Sequence, residues 1–379
     1  MHDIRFHAAI SELPPAAWDA LRADANPFVS HAFLAALEHS GSVRSEWGWQ
    51  AHHLGLYEDG RLCAATPLYL KGNSHGEFVF DFSWASAWQR AGGEYYPKLL
   101  NAVPYSPVPG PRLLAGNDER TPMLQHALVE AMRHEAVRLG LSSVHANFLQ
   151  ESELAAFDAD WLSRSDVQFH WHNPGYRHFP DFLAALNHKK RKNILRERQQ
   201  VERSGLVIEW RGGDSLSHRE WHRVHALYEA TFDMKGNHAA LTAAFFQQLG
   251  ELGPLAQLAL ARQGETIVAM ALFVQSESVL YGRYWGATAD VPGLHFELCY
   301  YRGIEHAIAR RLARFEPGAQ GEHKLARGFL PVRTHSRHYL VNQNFRAAVA
   351  AALADEAPAV DAYATELQDH SPYAHHAER

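Results

Sequence analysis

The residues best suited to chemistry crowd into three stretches. The richest runs from 318 to 340, GAQGEHKLARGFLPVRTHSRHYL. There His323, Lys324, Arg327, Arg333, His335, Arg337 and His338 fall within sixteen residues. Clustered cations beside flexible Gly318, Gly321 and Gly328 suit an anionic substrate and can stabilise an oxyanion as it forms. Lys324 is the first choice for that charge-stabilising part, Arg327 for binding, and His323 can act as acid or base. The competing reading is a basic surface loop. His323, His335 and His338 lack a recognised metal-ligand spacing, so no metal is expected.

The second stretch joins a strand to a helix. Tyr281, Tyr284 and Trp285 share the strand, and alternation sends Tyr284 and Trp285 to opposite faces, so only one is expected to face a given cleft. After Val291-Pro292-Gly293 the helix carries His295, Glu297, Tyr300 and Tyr301 in its first turns. An attacking amine must lose a proton, which Glu297 or His295 could accept, and Tyr300 or Tyr301 could protonate a leaving group. The simpler reading is helix capping by Glu297 and aromatic packing by the tyrosines. The third stretch, 188–203, holds Lys189, Lys190, Arg191, Lys192, Arg196, Arg198 and Arg203 against Glu197 and Glu202. With Ile194, Leu195 and Val201 packed inward, a helix here would show a basic ridge suited to phosphates. Its alternative is a solvated charged face.

Composition narrows the classes. A chain of 379 residues implies two domains, and 46% apolar with 21% charged residues is a soluble globular mix. A net charge of -6 excludes a generic nucleic-acid coat, leaving only local contacts. The two cysteines, Cys63 and Cys299, give neither a disulfide framework nor a zinc spacing. The 26 histidines read as ordinary surface and core residues. No apolar run is long enough to span a bilayer and no leader is evident, so a cytoplasmic protein without membrane insertion is expected. Walker, Gly-x-Ser-x-Gly and dinucleotide motifs do not occur.

The elements that must position these residues read as a repeat. Residues 54–72 and 258–276 both alternate around a turn, with Gly264 in the place of Gly60 at a constant offset of 204 residues. A short helix precedes each hairpin (residues 30–41, with Ser30 as N-cap, and 241–253). A strand near 77–83, a helix from Thr121 to Leu139 and the strand SSVHANF follow the first. The strand SVLYGRYWG and a helix from about Leu294 to Arg314 follow the second. The fold class is therefore α/β, a tandem duplicated unit with mainly antiparallel mixed sheets flanked by helices. The expected domains are 1–172 and 173–379, the second opening on a basic helix 188–204 and closing on a helix from Arg346 to about Leu367.

This order resembles a GNAT acyltransferase core. Two such cores with a basic helix at the start of the second resemble the Fem ligases, which move an amino acid from aminoacyl-tRNA to a peptidoglycan precursor. YSPVPGPRLL (105–114), FHWHNPGY (169–176), HKKRKNILRERQQV (188–201), RYWGATADVPGLHFELCYYRGIEHAI (283–308) and FEPGAQGEHKLARGF (315–329) are similar to the FemAB-like branch. The resemblance implies acyl or aminoacyl transfer to an amine where neighbouring strands splay apart. It implies Lys324, His323, Glu297 and Tyr301 as catalytic candidates. Tyr284, Trp285, His295, Arg327, Lys189, Lys190, Arg191 and Arg196 are the binding candidates. No tightly bound cofactor is implied. The donor is aminoacyl-tRNA, with its acceptor stem on the basic helix, or acyl-CoA, and the acceptor a small molecule or a peptidoglycan precursor. The pyrophosphate loop of acetyl-CoA-using GNAT enzymes is missing, as it is in the Fem ligases. An acyl-CoA-dependent acetyltransferase of a small amine and a non-catalytic anion-binding module are the alternatives. Nothing in the sequence fixes the oligomeric state.

Overall fold

The structure, a computed structural model, describes residues 2–234, 236–319 and 321–374. The chain forms two compact units, Met1–Asp166 with Arg333–Ala362, and Val167–Val332 with Tyr363–Arg379. The expected boundary near 172 falls close to this division, but the expected second domain loses residues 333–362. The reason is strand pairing: the strand Leu330–Leu340 lies antiparallel to Ser143–Leu149, with Leu340 opposite Ser143, and so carries the chain back to the first unit.

In the first unit, β1 (Asp3–His7), β3 (His53–Glu58) and β4 (Arg61–Thr66) make a small antiparallel sheet, and β2 (Trp49–Ala51), β5 (Leu68–Lys71), β6 (Lys98–Asn101) and β7 (Ser143–Leu149) make another. Asp59 and Gly60 both take positive φ (49° and 77°), the backbone of a two-residue hairpin turn. The helix Thr121–Arg138 crosses from β6 to β7, which are parallel. Its Leu128, Val129 and Met132 are fully buried against Leu54, Leu99 and Val144. The expected strand at 77–83 does not form. Glu77 and Asp81 instead turn their carboxylates onto the buried ammonium of Lys98, and a helix, Phe82–Arg90, starts there.

The second unit repeats the plan. β9 (Val207–Gly212), β10 (Ala256–Gln263), β11 (Thr266–Gln275) and β12 (Val279–Ala287) run antiparallel. β13 (Arg314–Glu316) then lies parallel to β12 and antiparallel to β8 (Leu162–His172). Gly264 opens its turn, since Gln263 pairs with Thr266, whereas Gly60 closes its own between Glu58 and Arg61. The duplicated hairpins thus differ by one residue in register. The crossover from β12 to β13 is a helix in three parts: Leu294–Phe296, a π turn at Glu297–Tyr301, and Arg302–Ala309. It stops short of the expected Arg314 because Arg311 adopts a left-handed backbone (φ 56°), returning the chain to the sheet. The basic helix is His188–Arg203, started by Asn187, whose side chain accepts from the Lys190 backbone N–H at 3.0 Å. The long C-terminal helix is Gln343–Asp369. Among the described residues no helix is long and apolar enough to cross a membrane.

Candidate active site

In each unit the crossover strands pair briefly and then part. In the second unit β12 and β13 pair only from Val279–Arg314 to Tyr281–Glu316. Beyond that point Gly282 to Trp285 on one side and Pro317 to Ala319 on the other line a cleft of about 300 Å³. In the first unit the corresponding space beside β7 is filled. Gly110 bonds to the Phe148 carbonyl, and buried Arg112 donates to the carbonyls of Asn147 and Val108.

The cleft gathers many of the expected residues. Tyr284, Trp285, His295, His323 and Lys324 all line it, together with Arg283, Cys299 and Tyr300. Tyr284 and Trp285 both border it, and their rings keep the alternation expected of a strand: Tyr284 packs against Tyr228, with centroids 5.0 Å apart, and Trp285 against His295. A β-bulge precedes them: Leu272 faces Tyr284 and Phe273 faces Gly282, leaving Arg283 as an extra residue at the cleft. Lys324 sits in a short 3₁₀ turn, Glu322–Arg327, and is only 2% exposed. Its Nζ donates to the Gly318 carbonyl at 2.6 Å, and burial lowers its pKa to about 7. His323 Nε2 and the Tyr300 hydroxyl lie 2.8 Å apart. Burial lowers the pKa of His323 and raises that of Tyr300, so at neutral pH an uncharged imidazole meets an intact phenol. The His295 ring packs edge-on to Trp285 and Tyr300, with centroids 5.2 and 5.5 Å away.

Besides those on the basic helix, three candidates do not come to this cleft. Glu297 is buried in ion pairs with Arg198 (3.1 Å) and Arg302 (2.8 Å), and it borders a second groove. Its carboxylate is engaged by these two guanidiniums and is absent from the cleft lining. Tyr301 is fully buried and donates to Glu197, while Arg327 donates to the Tyr301 hydroxyl at 3.0 Å. Arg327 also bonds Glu197 and the His323 carbonyl and lies over the Phe296 ring, so it ties the 3₁₀ turn to the basic helix. The π turn explains the exchange of Tyr301 for Tyr300. One residue more per turn rotates the face of the helix, so Tyr300 and Cys299 reach the cleft and Glu297 turns away.

The basic helix is split in use. Arg198 is spent on Glu297 and Glu305, and Ile194 and Val201 are buried. Leu195, expected to pack inward, is 51% exposed and borders the second groove, of about 970 Å³, beside Lys192 and Arg196. Lys189, Lys190 and Arg191 line neither cavity; Lys189 is exposed and the other two are half-buried. Sequence reasoning missed Arg283 and Cys299. The bulge that admits Arg283 leaves no mark in the residue pattern, and Cys299 was set aside because it had no partner cysteine.

The crystal structure of FemX is similar in fold, with a TM-score of 0.52 at 11% identity, covering 92% of this chain and 100% of that one. So is the C-terminal domain of a putative lysylphosphatidylglycerol synthetase from Agrobacterium fabrum, with a TM-score of 0.54 at 13% identity over 90% and 96% of the two chains. A tandem GNAT protein from the clavulanic acid biosynthesis pathway gives 0.48 at 11% identity over 90% and 99%. No curated protein matches the sequence. Repeated hairpins, parallel crossover strands and a cleft where they part define the class: a protein with the tandem GNAT-like α/β fold that FemX also shows. Residues 9–375 match the FemAB-like family, described as peptidoglycan biosynthesis/recognition, and the chain belongs to that family.

Proposed function

We propose that the cleft of the second unit transfers an aminoacyl group from aminoacyl-tRNA to the amine of a peptidoglycan precursor or related cell-envelope precursor. The observation that carries the reading is Lys324. It is a nearly inaccessible amine at the wall of an open cleft, with its pKa lowered to about 7 and His323 beside it in sequence. The acceptor amine attacks the ester carbonyl, and the Lys324 ammonium holds the oxygen that becomes negative. The amine proton passes to the Tyr300 oxygen while the Tyr300 proton moves to His323 Nε2. Collapse forms the amide and releases the tRNA hydroxyl, which takes the proton back. The remainder of the catalysis is positioning between Tyr284, Trp285 and His295. Lys192 and Arg196, exposed on the basic helix, would hold phosphates of the donor. A charged-tRNA donor implies a cytoplasmic reaction.

The test is a transfer screen. A mixture of radiolabelled aminoacyl-tRNAs and, separately, acetyl-CoA is incubated with peptidoglycan precursors and simple amines, and amide products are identified by mass spectrometry. Label is expected to move from tRNA. Transfer from acetyl-CoA alone would replace the donor, and no transfer from either would leave a binding module.

The pH dependence follows from the two perturbed groups. His323 must be neutral, and its folded pKa lies below 6.5. Lys324 must be charged, and it loses its proton through about 7. We expect kcat/KM to rise with pH below 6.5, pass a maximum near neutrality and fall above about 7. His323→Gln should remove the acid limb and leave the alkaline limb in place. A profile rising steadily to pH 9 would assign Lys324 as a base instead.

A further inference from the structure

Far from the cleft in sequence, three strands of the first unit bring a different set of donors together. β1 and β3 pair antiparallel with Asp3 opposite Tyr57, so the next position outward sets His2 opposite Glu58. The hairpin to β4 contains a bulge between Leu56 and Tyr57, and Cys63 follows on the returning strand. His2 Nδ1 lies 3.2 Å from Glu58 Oε1 and 3.9 Å from Cys63 Sγ, and the ligand atoms of all three residues lie within 4.8 Å of one another. None of the three is fully buried.

These spacings lie within a few tenths of an ångström to about 1 Å of those of a tetrahedral zinc site, a gap that side-chain rotation can close. Typical Zn–N, Zn–O and Zn–S bonds put ligand atoms about 3.4 Å apart for N and O, and about 3.6 Å for N and S. An imidazole, a thiolate and a carboxylate form a mixed set that suits Zn²⁺ and disfavours Mg²⁺ and Ca²⁺, which take oxygen ligands. The supporting group is also in place. Arg120 Nη2 donates at 2.6 Å to Glu58 Oε1, the same oxygen that lies 3.2 Å from His2 Nδ1, and so fixes the orientation of the carboxylate. We propose that His2, Glu58 and Cys63 form a binding site for a zinc-like divalent ion, with water in the fourth position. Cys63 binds as the thiolate and gives its proton to solvent. The ion clips the edge strand β1 to the hairpin, so its part is structural. The cleft and its chemistry lie in the other unit.

Sequence spacing hides this site, because residues 2, 58 and 63 match no ligand motif and only the strand register assembles them. The test uses untagged full-length protein, stripped with chelator and titrated with Zn²⁺ by calorimetry and with Co²⁺ by absorption. One equivalent is expected to bind, with an ultraviolet thiolate-to-cobalt band and a rise in thermal midpoint. Cys63→Ser should lose the band and the midpoint rise while its metal-free unfolding matches the metal-free parent, and His2→Gln should weaken binding. Cys299→Ser should keep the band. Zinc uptake with no thiolate band, or with affinity unchanged in Cys63→Ser, would mean adventitious binding by surface histidines and would overturn the proposal.

Discussion

Replacing Lys324 with methionine is expected to lower kcat by about 10²–10³-fold, the usual cost of removing one preorganised donor from an oxyanion. The effect should fall on kcat more than on KM, because the interaction strengthens only as the carbonyl oxygen gains charge. Stability should move the other way. Burial lowers the folded pKa of Lys324 from 10.5 to about 7. The folded state therefore binds fewer protons than the unfolded state between those values, and in the parent stability rises with pH across that window. Below pH 7 the buried ammonium costs stability, and methionine removes the cost at the loss of one hydrogen bond to Gly318. The variant should keep or raise its thermal midpoint at pH 6.5 while losing turnover. A structural lysine would give the opposite pattern, a lower midpoint with kcat reduced only in proportion to folded protein.

Lys98→Met should be the most damaging single change in the first unit. Lys98 is fully buried, and its Nζ donates to Glu77 at 2.9 Å, to Asp81 at 2.5 Å and to Ser74 at 3.0 Å. Asp81 also accepts from the Tyr95 hydroxyl at 2.6 Å. Burial disfavours the Asp81 carboxylate, but Lys98 and His145 outweigh it and hold its pKa well below the ordinary value. For Glu77 burial prevails and pushes the pKa up to about 7. Taking away the ammonium leaves two buried carboxylates without their counter-ion, a loss of about 3–5 kcal/mol for a broken buried pair. The sign with pH is fixed by the same groups. In the parent, depressed Asp81 contributes stability that is present above its unfolded pKa of 3.8 and lost as pH falls. In the variant both carboxylates titrate above their unfolded values, so stability is lost as pH rises. Urea unfolding at pH 8 should therefore show a larger difference between the two proteins than at pH 5. Equal differences at both pH values would mean that packing, not charge, sets the cost.

Much of this architecture is legible in the residues. The Asp59-Gly60 hairpin, the Ser30 cap and the helices beginning at Thr121 and His188 follow from local rules, and local rules hold where the neighbouring chain only confirms them. The site was legible as a neighbourhood: Lys324, His323, His295, Tyr284 and Trp285 do share a cleft. What escaped depends on single-residue irregularities. The bulge at Arg283 adds an extra residue to the cleft lining, and the π turn swaps Tyr301 for Tyr300 and sends Glu297 to Arg198 and Arg302. Neither has a composition of its own, because both arise from the packing of strands and helix around them. The return of residues 333–362 to the first unit is hidden for a similar reason. Only the pairing of Leu330–Leu340 with β7 decides it, and that pairing spans nearly 200 residues of sequence.

If the acyl group is transferred in the cleft at Lys324, a donor must seat its carbonyl there. The most direct measurement is a crystal structure with a non-reactive donor analogue, an aminoacyl group joined by an amide to the 3′ position of adenosine. The account predicts that its carbonyl oxygen lies within hydrogen-bond distance of Lys324 Nζ, with the aminoacyl portion between Tyr284 and His295. An analogue seated only in the groove beside Arg196 and Glu297, with the Lys324 cleft untouched, would contradict it.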